Sequence, residues 1–362
     1  MRIALVHYSA PPVIGGVERV LAQQAAILSS RGHEVVVVCG NKGAKVDGAI
    51  MEYAPNFYIK RVRSALANCK VVAVHNMFTM PFNWESTKTM AQLSHEMTDV
   101  RFINWVHDVD VTMDDFASLE LKTTHVAVSE VRRGEFCERT GVPKSKCQVV
   151  PNGVDSAATL GLTPKVAAFA HKHRLLRREV VLFHPTRILA RKNIEMTIEV
   201  TASLQKLGVD VATVVTGAAD PYRPESADYA QQLKSLIKKK KIEDRVLFVG
   251  ESFDANEDDV RCLYACADTL FFPSKAEGFG LPVLEAALHR LPVFCSDIKA
   301  HREVAQGAAE FFKLEEKPAA IAERIQARLS KDKTVQRKRE VQRKFDWGRI
   351  YEEYLEPLLI GA

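Results

Sequence analysis

The feature that most constrains this chain is a repeated alternation. Short apolar runs of strand length are followed, almost throughout, by amphipathic stretches of helical length. Strands buried on both faces read as near-continuous Val, Ile and Leu runs, and the helices between them carry each crossover to the next parallel strand. Runs at 2–6, 34–38, 70–74, 101–106, 125–128 and 148–150 form a first series. After 156–178, which is rich in Ala, Lys, His and Arg and suits an inter-domain linker with a helix in it, a second series occupies 180–184, 211–216, 246–249, 269–272, 293–295 and 310–312. The expectation is an α/β chain with two Rossmann-like, doubly wound parallel-sheet domains facing a cleft. The first spans 1–160 and the second 175–344, and a last aromatic-rich segment, 345–362, need not pack on the domain that precedes it.

Length agrees, since 362 residues exceed what one core usually organises. No stretch approaches the roughly 20 apolar residues that span a bilayer, and the apolar run at the start is too short for a signal peptide, so a cytoplasmic location is expected. Seven scattered cysteines suit buried, reduced thiols. Cys262 and Cys266 lie one helical turn apart with no second pair to complete a zinc site. The net charge of +5 is concentrated at Lys238–Lys241 and Lys331–Lys344. Without interleaved aromatics or a nucleic-acid motif, these read as solvated helix faces; peripheral membrane contact is the less favoured reading, and no nucleic-acid partner is expected.

In open parallel sheets, ligands bind beyond the carboxyl ends of the strands. After the run 269–272 comes Pro273-Ser274-Lys275-Ala276-Glu277-Gly278-Phe279-Gly280-Leu281-Pro282-Val283-Leu284-Glu285. Gly278 and Gly280 allow close backbone approach, and Pro282 fits a first helical position. The amides around Gly280 and Leu281 would then face an anion at a helix N-terminus. Glu277 before the helix and Glu285 in its first turn can each accept hydrogen bonds from vicinal hydroxyls, as a sugar and a ribose require. The bland alternative is a loop charge and a dipole-stabilising helix residue.

After 180–184 comes Thr186-Arg187-Ile188-Leu189-Ala190-Arg191-Lys192-Asn193, with the helix read from Lys192. Cations at such a junction can neutralise a diphosphate, including charge that develops as it leaves. After the first strand, Gly15-Gly16-Val17-Glu18 opens a helix without a G-x-G-x-x-G fingerprint, which argues against a dehydrogenase. His107 follows the run 101–106. Asp108-Val109-Asp110 spells a short D-x-D that is set aside as a chance match. Ser129 lies beyond another strand.

Glu277 and Glu285 around Gly278-Phe279-Gly280-Leu281 resemble the E-x7-E motif of family 4 retaining glycosyltransferases of GT-B fold, and the resemblance covers nearly the whole chain. It implies transfer of a hexose, of UDP-glucose or GDP-mannose type, from a nucleotide-diphosphate sugar to an acceptor hydroxyl. It gives Glu277 the donor sugar's hydroxyls, Glu285 the ribose, and the Phe279–Leu281 backbone the sugar and diphosphate. Arg187 and Lys192 match the family's Arg and Lys pair, Thr186 and Asn193 standing where glycines are usual; Arg191 is left outside the match. Gly15 and Gly16 match the Gly-Gly pair, Gly16 offering an amide to the donor phosphate. His107 corresponds to a histidine near the reacting carbon, and Ser129 borders the acceptor. No cofactor or metal is implied, the nucleotide sugar being a substrate; the acceptor class is a sugar, a polyol or a lipid-linked group. The competing readings are a sugar-nucleotide epimerase on the same fold and a non-catalytic nucleotide-sugar-binding protein.

Overall fold

A computed structural model of the chain describes residues 1–217 and 224–360. Residues 361 and 362 of the expected last segment therefore lie outside the described residues. The chain divides into two compact units: unit 1 is Met1–Asp155 with Lys344–Ala362, and unit 2 is Ser156–Arg343.

Unit 1 holds a seven-stranded sheet of β1 (Arg2–Val6), β2 (Glu34–Cys39), β3 (Ala49–Tyr53), β4 (Val71–His75), β5 (Arg101–Val106), β6 (Thr124–Ala127) and β7 (Cys147–Val149). The order is β3-β2-β1-β4-β5-β6-β7, and every pairing is parallel. Side chains alternate along each strand, so Ala4, Val6, Val36, Val38, Val72 and Val74 enter one core layer, and Ile3, Leu5, Val35, Val37, Val71 and Ala73 the other. Burial on both faces is what the continuous valine runs require. β3 had no such signal, because an edge strand whose five residues are all only partly buried or exposed need not be apolar throughout.

The second of these layers is completed by the end of the chain, through Trp347, Ile350, Tyr351, Leu355 and Leu358. Trp347 donates Nε1–H to Gln23 Oε1 at 2.8 Å. Its ring lies against Gly153, where a Cβ would come within 2.4 Å of it, so only glycine fits at that position.

Unit 2 holds a six-stranded, wholly parallel sheet of β8 (Val180–His184), β9 (Val211–Val215), β10 (Val246–Phe248), β11 (Thr269–Phe272), β12 (Val293–Ser296) and β13 (Glu310–Phe312), in the order β10-β9-β8-β11-β12-β13. The segment 156–178 is not a free linker. Its helix Pro164–Lys172, capped by the Thr163 hydroxyl, sends Val166, Phe169 and Ala170 into the unit 2 core.

The basic helix Lys333–Lys344 is also more than a solvated face. Arg339 is buried and holds both carboxylate oxygens of the buried Asp268 through Nε, at 2.8 and 2.7 Å; its other nitrogens reach the Cys266 and Leu175 carbonyls. Lys338 donates to the Ala267 carbonyl at 2.6 Å, and burial, with Arg339 beside it, pushes its ammonium down to about 8. Among the described residues no helix is long and apolar enough to cross a membrane.

Breaking a buried, hydrogen-bonded ion pair leaves an uncompensated charge and costs about 3–5 kcal/mol. Arg339→Ala is expected to lower unfolding free energy by that amount in urea titrations followed by far-UV circular dichroism; a loss below about 1 kcal/mol, the scale of an exposed pair, contradicts this account.

Candidate active site

In unit 2 the chain reverses its direction of growth between β8 and β11, which are neighbours in the sheet although three strands apart in order. The helix after β8, Ile194–Lys206, packs through Val200 and Leu204 on one face; the helix after β11, Leu281–Leu288, packs through Val283 and Ala286 on the other. Chains departing to opposite faces open a crevice at the strand ends. Both sequence motifs of unit 2 fall there.

At that crevice Lys192 Nζ donates to Glu277 Oε1 at 2.5 Å, with both side chains largely buried. The Lys192 ammonium also lies 5.4 Å from the Phe272 ring centroid. Burial alone would raise the Glu277 carboxyl; the Lys192 ammonium bound to it, with Arg191 nearby, more than offsets this and holds it below the ordinary carboxylate range. Arg191, left outside the sequence match, reaches Glu277 Oε2 at 3.4 Å and the Ala276 carbonyl at 3.0 Å. Arg187 is exposed on the same loop, between the buried Thr186 and Ile188.

The two residues that replace glycines have identifiable accommodations. Asn193 adopts the left-handed conformation, at φ 55° and ψ 48°, which Asn tolerates better than most residues, and its amide donates to the Pro273 carbonyl at 3.1 Å. Thr186 is held to the end of β9 by the Thr216 hydroxyl, which accepts from its N–H at 2.8 Å. Gly217 completes the fit, since a Cβ there would stand 2.3 Å from the Thr186 carbonyl oxygen.

The helix after β8 begins at Ile194 rather than at Lys192, which closes a preceding short turn, Ala190–Lys192. The helix after β11 begins at Leu281 with Gly280 as N-cap, at φ 108°, so Pro282 is its second residue and not its first. Glu285 consequently stands in the second turn. Among the described residues no side chain caps this helix; Pro282 has no N–H and the Val283 N–H donates to the Gly280 carbonyl at 3.0 Å, which leaves the Leu281 N–H for an anion. Gly278, Phe279 and Leu281 are exposed around the turn. Glu285 is fixed from below by Tyr264, whose hydroxyl donates to Oε2 at 2.7 Å. Burial and then the Glu285 carboxylate push the Tyr264 phenol up, so it stays protonated as a donor.

Two buried histidines flank this crevice. His184, at the end of β8, has Nδ1 2.9 Å from the Thr197 hydroxyl, and burial, with Lys192 nearby, pushes it down to about 3. His301 lies beside Gly280 and has Nδ1 2.9 Å from the Ser296 carbonyl. Neither was a sequence candidate.

Unit 1 has its own reversal, between β1 and β4. Three histidines gather there: His7 after β1, His75 ending β4 and His107 after β5. His75 Nδ1 lies 3.0 Å from His107 Nε2, and His7 Nδ1 is 2.8 Å from the His75 carbonyl oxygen. Asn76 holds the end of β5, its Oδ1 accepting from His107 N–H at 2.7 Å and Asp108 N–H at 3.0 Å. Burial, with His7 and Arg132 in range, pushes His107 down to about 3. Of this group the sequence reading singled out His107 alone, although all three histidines share the strand-end position that marked it.

Gly15 caps the helix Gly16–Ser30 in an extended conformation. The Glu18 carboxylate folds back against it, occupying space that a Gly15 Cβ would need, and accepts from the Ser9 hydroxyl at 2.6 Å. Gly16 is exposed, with open space around its Cα. Ser129 does not join the histidines: its hydroxyl caps the helix Glu130–Thr140, accepting from Arg132 N–H at 3.1 Å. Asp108 pairs with Arg132 at 3.0 Å and Asp110 with Arg139 at 3.9 Å, so the D-x-D carboxylates face cations.

Two family models match the chain: Glycosyltransferase Family 4 over residues 14–158 and Glycosyl transferases group 1 over residues 168–345. Between them they take in nearly the whole chain. The chain belongs to family 4 of the glycosyltransferases, and its tandem Rossmann-like units are of the GT-B type. It is similar to the serotype-specific mannosyltransferase WbdA of Escherichia coli (37% identical over 95 residues, 26% of this chain and 9% of WbdA). It is also similar to the mannosylglucosylglycerate synthase of Petrotoga mobilis, at 24% identity over 60% of this chain and 54% of that protein. The O-antigen chain mannosyltransferase RfbU of Salmonella typhimurium is 35% identical over 23% of this chain and 22% of its own length. The matches thus span about half or less of each relative's length. In this family 4 chain, the first model ends just before the unit 2 helix Pro164–Lys172, and the second covers both loops of the β8–β11 crevice.

Two outcomes are expected. Tyr264→Phe removes the hydroxyl that fixes Glu285 and should weaken nucleotide binding about three- to tenfold by calorimetry, the range of one lost hydrogen bond; unchanged affinity detaches Glu285 from nucleotide binding. His184, about 3 in the folded protein, ordinarily titrates near 6.5, so the unfolded chain binds its proton first and stability falls as pH drops from 6.5 toward 3. His184→Gln should therefore lessen that fall by up to about 1.4 kcal/mol per pH unit in urea titrations; an identical slope refutes the assignment.

Proposed function

We propose that the protein is a retaining glycosyltransferase that moves a hexose from a nucleotide-diphosphate sugar to an acceptor hydroxyl. The observation that carries this reading is the Lys192–Glu277 pair at the β8–β11 crevice, a cation and a carboxylate drawn from loops 85 residues apart. A sugar diphosphate presents both complements: anionic oxygens for the cation and neutral hydroxyls for the carboxylate.

In this reading the diphosphate lies against Lys192, Arg187 and the Leu281 amide after Gly280, and Glu277 takes hydroxyls of the transferred sugar. Glu285, steadied by Tyr264, takes the ribose. As the bond from the anomeric carbon to the diphosphate breaks, negative charge grows on the leaving oxygen. Preorganised cations stabilise that charge more than they stabilise the ground state. The acceptor hydroxyl attacks the face that the diphosphate leaves, and a departing phosphate oxygen takes the hydroxyl proton, so configuration is kept. Arg187 and Lys192 supply the charge that a divalent metal would otherwise bring, and no metal is required. The relatives' names favour a mannosyl donor, and a GDP-mannose type is preferred over UDP-glucose. The acceptor is a sugar, a polyol or a lipid-linked group.

Lys192→Ala should cut turnover about 10²- to 10³-fold. Glu277→Ala should cripple transfer while free nucleotide binds nearly as before, because its hydroxyl contacts are to the sugar. These outcomes are read with a panel of UDP-, GDP- and ADP-sugars, first by thermal shift and then by transfer to simple sugar acceptors, with product anomers assigned by NMR and EDTA present in parallel. Wild-type turnover in Lys192→Ala, an inverted product, or loss of activity in EDTA would each overturn the corresponding part of the proposal.

A further inference from the structure

The three histidines of unit 1 form a chain whose proton positions are constrained by what surrounds them. His7 Nδ1 faces a carbonyl oxygen, that of His75, at 2.8 Å; a carbonyl only accepts, so His7 carries its proton on Nδ1. His75 is fully buried, lies against Trp105 with ring centroids 5.4 Å apart, and its Nε2 has no hydrogen-bond partner among the described residues. Burial, with His107 and His7 beside it, holds His75 neutral, and His107 is neutral for the same first reason.

Two neutral imidazoles joined through His75 Nδ1 and His107 Nε2, 3.0 Å apart, share one proton between those atoms. If His107 supplied it, the remaining proton of His75 would sit on the buried, partnerless Nε2. If His75 supplies it, that Nε2 carries only a lone pair. A buried orphan N–H is the rarer and costlier of the two defects. The tautomer of a histidine follows the hydrogen bond made by its other nitrogen. The geometry points to His75 as a positioning residue: its Nδ1–H makes His107 Nε2 an acceptor and leaves His107 with an Nδ1–H donor for an oxygen of the bound ligand.

The consequence is chemical. A neutral histidine fixed in this tautomer offers a hydrogen bond to a sugar or phosphate oxygen without adding a charge, and its ring is already held when the ligand arrives. Asn76 fixes the backbone of His107 from the other side, through the two amides at the end of β5. The identity of the ligand oxygen rests on the transferase reading above; the direction of the hydrogen bond does not.

The test is the proton position itself, read from imidazole 15N and 13C shifts in the ligand-free, His-labelled protein. The wild type should show His107 protonated on Nδ1. His75→Phe keeps the contact with Trp105 but removes the donor, and should shift His107 toward the Nε2–H form. His75→Asn places an amide N–H near the former Nδ1 and should restore the Nδ1–H form. In transfer assays kcat should fall about tenfold or more in His75→Phe with KM within about threefold, and His75→Asn should recover most of it, a split that general loss of structure would not give. Nε2–H on His107 in the wild type, or an Nδ1–H form retained in His75→Phe, overturns the inference whatever the activity. The expected tautomers in a protein that turns over no sugar nucleotide support the inference and overturn the transferase reading instead.

Discussion

An ion pair ties together the two loops that leave adjacent strands at the unit 2 crevice. Lys192 follows β8 and Glu277 follows β11, and each is largely buried. Charges with little access to water are costly unless paired, so losing either partner leaves the other less well compensated, although Arg191 also reaches Glu277. The pairing is available only because β8 and β11 are neighbours at the point where strand order reverses. In the free protein it satisfies both groups internally; with a ligand bound, the same two groups can turn part of their hydrogen-bonding capacity to phosphate and hydroxyl oxygens.

Around that pair, a layer of uncharged contacts fixes the loops. Asn193 in its left-handed turn, Thr216 bridging to Thr186, and Gly217 under the Arg187 backbone hold the β8 loop. Gly280 and Tyr264 do the same for the turn after β11 and for Glu285. Unit 1 repeats the strategy with different chemistry. There the strand ends carry histidines that burial keeps neutral, locked to one another and to backbone amides by Asn76. One unit thus presents charge, and the other presents oriented neutral donors and acceptors.

How far the sequence revealed this varies with the physics of each element. Interior strands were plain, because a strand covered on both faces must be apolar throughout; β3 was not, because an edge strand escapes that demand. The segment 156–178 looked like a linker because its helix buries only one stripe, Val166, Phe169 and Ala170, amid Lys and His. Arg339 looked solvated because nothing local announces a partner 71 residues away. The E-x7-E motif was legible because its glycines and carboxylates are adjacent in sequence, whereas Tyr264, Asn76 and His75 act through contacts that only the fold creates. Arg191 was set aside on spacing, although the loop's curl brings it to Glu277 as well. Helix starts were misplaced by one or two residues, as the positive-φ caps Asn193 and Gly280 decide them.

The most direct measurement is calorimetric affinity for a nucleoside diphosphate against the matching monophosphate, in the wild type and in Lys192→Met. If the buried ammonium faces the diphosphate, the wild type should prefer the diphosphate by about tenfold or more, as a charge-assisted contact requires, and the variant should lose most of that preference. An equal preference in both proteins would place Lys192 away from the diphosphate and contradict the account.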